Sequence, residues 1–111
     1  MSYVVEFFRL AQKPFGHGKE VYKKVPNHYP ERFVQIDYFE GFKPKAGDII
    51  SMVGSSTQYG HVALVEKVSG NQVTIAEQWT ESRTVRRATF TITNNKKNQR
   101  YIYGVARPKI R

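Results

Sequence analysis

The sequence predicts a small α+β domain, helix first and sheet after. Apolar residues in the first dozen positions recur at helical spacing. From residue 47 onward, short apolar or alternating runs are separated by polar turns, which is the pattern of strands. The length of 111 residues suits one domain around one core.

Taken in order, residues 3–12 place Val4, Phe7, Phe8 and Ala11 on one helical face, widened by Tyr3 and Leu10. Ser2 suits the N-cap and Pro14 stops the helix. Residues 19–25 form a second short helix, ended by VPNHYP, whose Pro and Asn break regular structure. Residues 31–46 make an irregular approach to the sheet, anchored by Phe33, Ile36, Tyr38, Phe39 and Phe42. GDIISMV, HVALVEKV, QVTIAEQW, VRRATFTI and YIYGVARP then read as five strands. SGN turns between the second and third, TNNKKNQ is a polar loop, and Pro108 closes the last strand. Short strands with short turns imply an antiparallel sheet or half-barrel, with one or two helices packed on it.

Composition narrows the chemistry. The chain holds no cysteine, which excludes disulfides, thiolate zinc sites and cysteine nucleophiles within it. No cluster of His, Asp and Glu has metal-site spacing, so no metal or cofactor is expected. His17 and His28 fall in loop-like contexts and are expected at the surface. No apolar run of about 18 residues exists, so no membrane span is expected. MSYVVEFFRLAQK has neither a basic n-region nor a small-residue cleavage site, so no secretory signal is expected. Net charge is +9, and residues 82–111 hold nine Lys/Arg and no Asp or Glu. That half should be drawn to polyanions such as nucleic acid, teichoic acids or anionic lipid.

The stretch YGHVALVEKVSGNQVTIAEQW, residues 59–79, reads as a hairpin with His61 at its entrance and Glu77 near its exit. A carboxylate can fix an imidazole's tautomer and stabilise its protonated form, and the imidazole can then activate a thiol or hydroxyl. Parity decides whether the two residues share a face. A two-residue loop at Gly70 and Asn71 pairs Val68 with Val73 and puts Gln78 on the histidine's side. A three-residue loop, or a bulge, puts Glu77 and Trp79 there instead. The sequence allows either.

The blocks KPKAGDIISM, YGHVALV, VTIAEQW and YGVARPK resemble the successive blocks of CHAP domains, the cysteine, histidine-dependent amidohydrolase/peptidase modules of phage endolysins and bacterial wall hydrolases. Upstream, VVEFFRL resembles the family's nucleophile helix and FGHGKEVY the glycine-containing segment after it. The resemblance implies a papain-like fold, shared with the NlpC/P60 hydrolases, and a substrate in the peptide part of peptidoglycan. It assigns His61 as general base and Glu77 as the residue that orients it. Tyr59, Gln78 and Trp79 would flank the substrate groove. The helix-start cysteine aligns near Val4, because Glu6 takes the acidic position two residues on. Valine cannot serve as a nucleophile, and Ser2 is better suited to capping the helix. The family often carries Asn after its Glu-Gln pair, where Trp79 stands. The loop that precedes the family's nucleophile helix has no counterpart ahead of residue 1.

Three variants then fit: a degenerate copy that binds wall peptide without cutting it, one piece of a split enzyme whose second chain supplies the cysteine segment, or an inactivated or truncated form. A separate reading is a structural phage or prophage component that kept the fold for assembly. Such a protein is expected to be made in the cytoplasm and to meet the wall after lysis, phage-mediated release or virion delivery. An alternative class is a basic β-rich nucleic-acid-binding module, in which Arg86, Arg87 and Arg100 beside Phe90 and Tyr101 serve phosphate contact and stacking. The interleaving is poor and no RNP-like motif is present, so nucleic acid ranks well below the wall.

Overall fold

The computed structural model describes residues 20–39, 41–52, 61–78, 85–92 and 102–109, with backbone alone at His61, Gln78 and Val85. The expected first helix, Ser2, Val4, His17, Tyr59 and Trp79 lie outside them. Six strands follow one helix: α1 (Val21–His28), β1 (Phe33–Asp37), β2 (Ile49–Met52), β3 (His61–Ser69), β4 (Gln72–Gln78), β5 (Val85–Thr91) and β6 (Ile102–Pro108). They form one sheet in the order β1-β6-β2-β3-β4-β5, and every neighbouring pair is antiparallel. The α+β class and antiparallel sheet agree with the sequence; among the described residues the strand number is six rather than five.

The extra strand is β1, in the segment expected to be irregular. Its residues Phe33 and Ile36 face opposite sides of the sheet. Phe33 joins the cluster of Val21, Val25, Ile49 and Ala106, whereas Ile36 packs against the cluster of Phe42, Ile50, Met52 and Val105. Each core takes one residue from this edge strand, so neither face shows the two-residue alternation that marks a strand. Phe39, expected as an anchor, is 58% exposed. The N–H of Phe42 bonds to the Phe39 carbonyl at 2.9 Å, and Gly41 has φ +88° at the third position of this turn. That is the glycine requirement of a type II turn, and it folds Phe42 back into the core.

Helix α1 also departs from expectation. It starts at Val21 and runs through Pro26 to His28, where VPNHYP was expected to end it. Proline here forfeits only the hydrogen bond to the Tyr22 carbonyl. Burial of Val21, Tyr22 and Val25 against β1, β2 and β6 holds the helix, at about 1.5–3 kcal/mol for a fully buried aliphatic side chain. The Tyr22 N–H, orphaned in the first turn, donates to the buried Ser51 Oγ at 3.1 Å. Gly104 admits the Tyr22 ring; a Cβ there would lie 2.6 Å from it and 2.5 Å from the Ile36 carbonyl. His28 is exposed as expected, but in the last helical turn rather than in a loop.

Candidate active site

At the hairpin, Ser69 pairs with Gln72, Val68 with Val73 and Lys67 with Thr74, around a two-residue loop of Gly70 and Asn71. Gly70 has φ +60°, as the first position of a primed hairpin turn requires. Continued unbroken, that register would bring Gln78 to the face of position 61. It is broken at Glu66. Val65 pairs with Ile75 and Leu64 with Ala76, so Glu66 is the extra residue of a bulge. The parity switches there. By strand alternation Glu77 shares the face of Ile75, and positions 63 and 61 share the face of Val65. Positions 61 and 77 therefore lie on one face, as diagonal neighbours on adjacent strands.

The sequence does carry a trace of the bulge. Val65 and Val68, three apart, both pack into the core with Val73 and Ile75. A regular strand would send one of them to the opposite face.

Met52 at the end of β2 is opposite His61 and fully buried. Glu77 is 4% exposed, a carboxylate carried by the core-facing side of β4. Arg86 on β5 is its cross-strand partner and is exposed, which sets a cation beside the carboxylate on the same face. Sequence reasoning gave Arg86 no part here, because only the β4/β5 register reveals it. For His61 and Gln78 the strand positions are known and the side chains are not described; Tyr59, Trp79 and Val4 lie outside the described residues.

The GD block has a structural role that spacing alone did not reveal. Asp48 is fully buried. Arg107 Nε donates to Oδ1 at 3.0 Å and Nη2 to Oδ2 at 2.9 Å, while the Lys45 N–H donates to Oδ2 at 2.8 Å. Gly47, at φ +95°, turns the chain into this position, and its N–H donates to the Val65 carbonyl at 2.7 Å. This fork fixes the start of β2 against the end of β6, while the Gly47 bond and the Val65 N–H, which donates to the Asp48 carbonyl at 2.9 Å, fix it against β3. Among the described residues, no helix is long and apolar enough to cross a membrane.

No protein of curated function matches the chain. The CHAP domain profile matches residues 1–79, more than two-thirds of the sequence. That span holds α1, β1, β2 and the whole β3/β4 hairpin, while β5 and β6 lie beyond it. On that match the chain belongs to the CHAP domain family, a peptidoglycan hydrolase-type family.

Proposed function

We propose that this chain is a CHAP domain of phage or prophage lysin origin that keeps the base and its orienting carboxylate but lacks a nucleophile. His61 is the base and Glu77 orients it. Tyr59, Gln78 and Trp79 line the groove that receives the wall peptide. Val4 stands near the position of the missing cysteine. The chain alone binds wall peptide without cutting it, or completes its site with a cysteine segment from a second chain. It reaches the wall after lysis, phage-mediated release or virion delivery.

The observation that carries this reading is the bulge at Glu66. A two-residue hairpin loop would otherwise separate Glu77 from the face of position 61. Burial of Glu77 gives further support, because a carboxylate withdrawn from water needs a compensating partner, and an imidazolium supplies one. Serine is a poor substitute for the thiol, since it needs stronger base assistance.

The test is a wall-digestion assay with purified peptidoglycan, reading release of new amino groups alongside sedimentation of the protein with the wall. Co-sedimentation without release is expected, and His61→Ala should leave release at background. Release by the unaltered chain that disappears in His61→Ala would overturn the missing-nucleophile reading.

A further inference from the structure

Strand β6 runs from Ile102, at the end of the sheet that holds positions 61 and 77, to Pro108 at the far end. Three contacts gather cationic segments at that far end. The Lys109 N–H donates to the Arg32 carbonyl at 2.9 Å, Arg107 Nη2 to the Lys43 carbonyl at 3.3 Å, and the Lys45 N–H to Asp48 Oδ2 at 2.8 Å. The bond from the Gly47 N–H to the Val65 carbonyl brings Lys67 to the same end. Arg32, Lys43, Lys45, Lys67 and Lys109 are all exposed.

Negative charge at this end is scarce. Asp48 is buried and answered by Arg107, and Glu66 is paired with Arg87 at 2.8 Å. Glu31, exposed beside Arg32, is the remaining carboxylate of these segments. Among the described residues, none of Lys43, Lys45, Lys67 and Lys109 pairs with a carboxylate. The cations are spread over the ends of β1, β3 and β6 and the turn before β2, as suits repeated charges on a flexible chain rather than one small anion.

We propose that this end is a docking surface for an anionic phosphodiester polymer of the cell wall, held by Lys43, Lys45, Lys67 and Lys109. The choice of polymer rests on the wall reading above; the surface itself does not. Nucleic acid fits less well. Among the described residues, the rings carried beside these cations are Tyr29 and Phe90, half-buried, and Phe33 and Phe42, buried, and the Arg32 guanidinium lies over Tyr29 and Phe33 at 5.6 and 5.7 Å. None of these four offers the open stacking platform that single strands use. The seven residues of β6 span about 20 Å at ~3.3 Å per residue. That exceeds the Debye length of about 8 Å at physiological salt, so the charge of polymer held here is largely screened from the His61 end.

The test compares binding of the full chain to purified poly(glycerol phosphate), to peptidoglycan stripped of that polymer, and to a single-stranded oligonucleotide of equal phosphate count. Binding to poly(glycerol phosphate) should weaken at least about tenfold from 0.1 M to 1 M salt, as the Debye length falls to about 3 Å. It should weaken by a similar factor in Lys43→Glu/Lys109→Glu. Lys23→Glu/Lys24→Glu, on α1, is the charge-matched control and should bind nearly as the parent does. Circular dichroism confirms that both variants fold. Equal losses in the two variants, or equal or tighter binding to the oligonucleotide, would overturn the proposal. Binding to stripped peptidoglycan reports on the groove instead. Its loss would count against the wall-peptide reading and leave the polymer result standing.

Discussion

Asp48 places its carboxylate where solvent does not reach, and its stability there depends on Arg107. The guanidinium supplies two of the carboxylate's hydrogen bonds, and the Lys45 amide supplies a third. Arg107→Ala leaves an acceptor with one donor and no countercharge. It should cost about 3 kcal/mol, measured by urea unfolding. The exposed pair of Glu66 and Arg87 behaves differently, because water screens it; Glu66→Gln should cost under about 1 kcal/mol. Tyr22 gives a pH-dependent counterpart. Burial raises its pKa above 10.0, reinforced by Asp37 and opposed by Lys23. A raised folded-state value means the contribution is complete below the unfolded pKa and is lost as pH climbs through the folded one. Stability should therefore fall above about pH 10, and less steeply in Tyr22→Phe. Of these residues, only Asp48 could be picked out in sequence, through its Gly-Asp motif. Its partner lies 59 residues away and reads as one of many basic residues.

At the scale of elements, the β3/β4 hairpin depends on one extra residue. Deleting Glu66 removes the extra residue itself, so Val65 and Val68 become two apart and both keep the core face by plain alternation. The pairs Val65 with Ile75 and Lys67 with Thr74 then join one unbroken ladder, and positions 61 and 77 stay on one face. Deletion should thus lower the unfolding midpoint by no more than a few degrees beyond Glu66→Ala, which removes only the Arg87 pair. A collapse of the midpoint in the deletion alone would mean that Glu66 is not the extra residue that sets the parity. The five strands from residue 47 onward were legible because each is a short apolar run between turn residues. Strand β1 was not, because it divides its apolar residues between two cores. The helix boundary at Pro26 was misjudged because docking of Val21 and Val25 outweighs the missing hydrogen bond. The hairpin parity could not be settled from loop length alone, since the loop and the bulge act in opposite senses.

Across the whole molecule, the two ends of one sheet differ in character. One carries positions 61 and 77, Met52 and Arg86; the other carries the exposed lysines. The family assignment rests on residues 1–79, while the fork that anchors β2 draws Arg107 from beyond that span. The central claim is that Val4, His61 and Glu77 occupy the three corners of a cysteine-hydrolase site. The most direct measurement is the alkylation rate of Val4→Cys by iodoacetamide as a function of pH. A thiol beside an imidazolium at a helix start ionises well below the free value of about 8.5. The account predicts rapid alkylation at pH 6, slowed at least about tenfold in Val4→Cys/His61→Ala, with Val4→Cys/Glu77→Gln in between. A rate profile with the ordinary free-thiol midpoint, unchanged by His61→Ala, would contradict it.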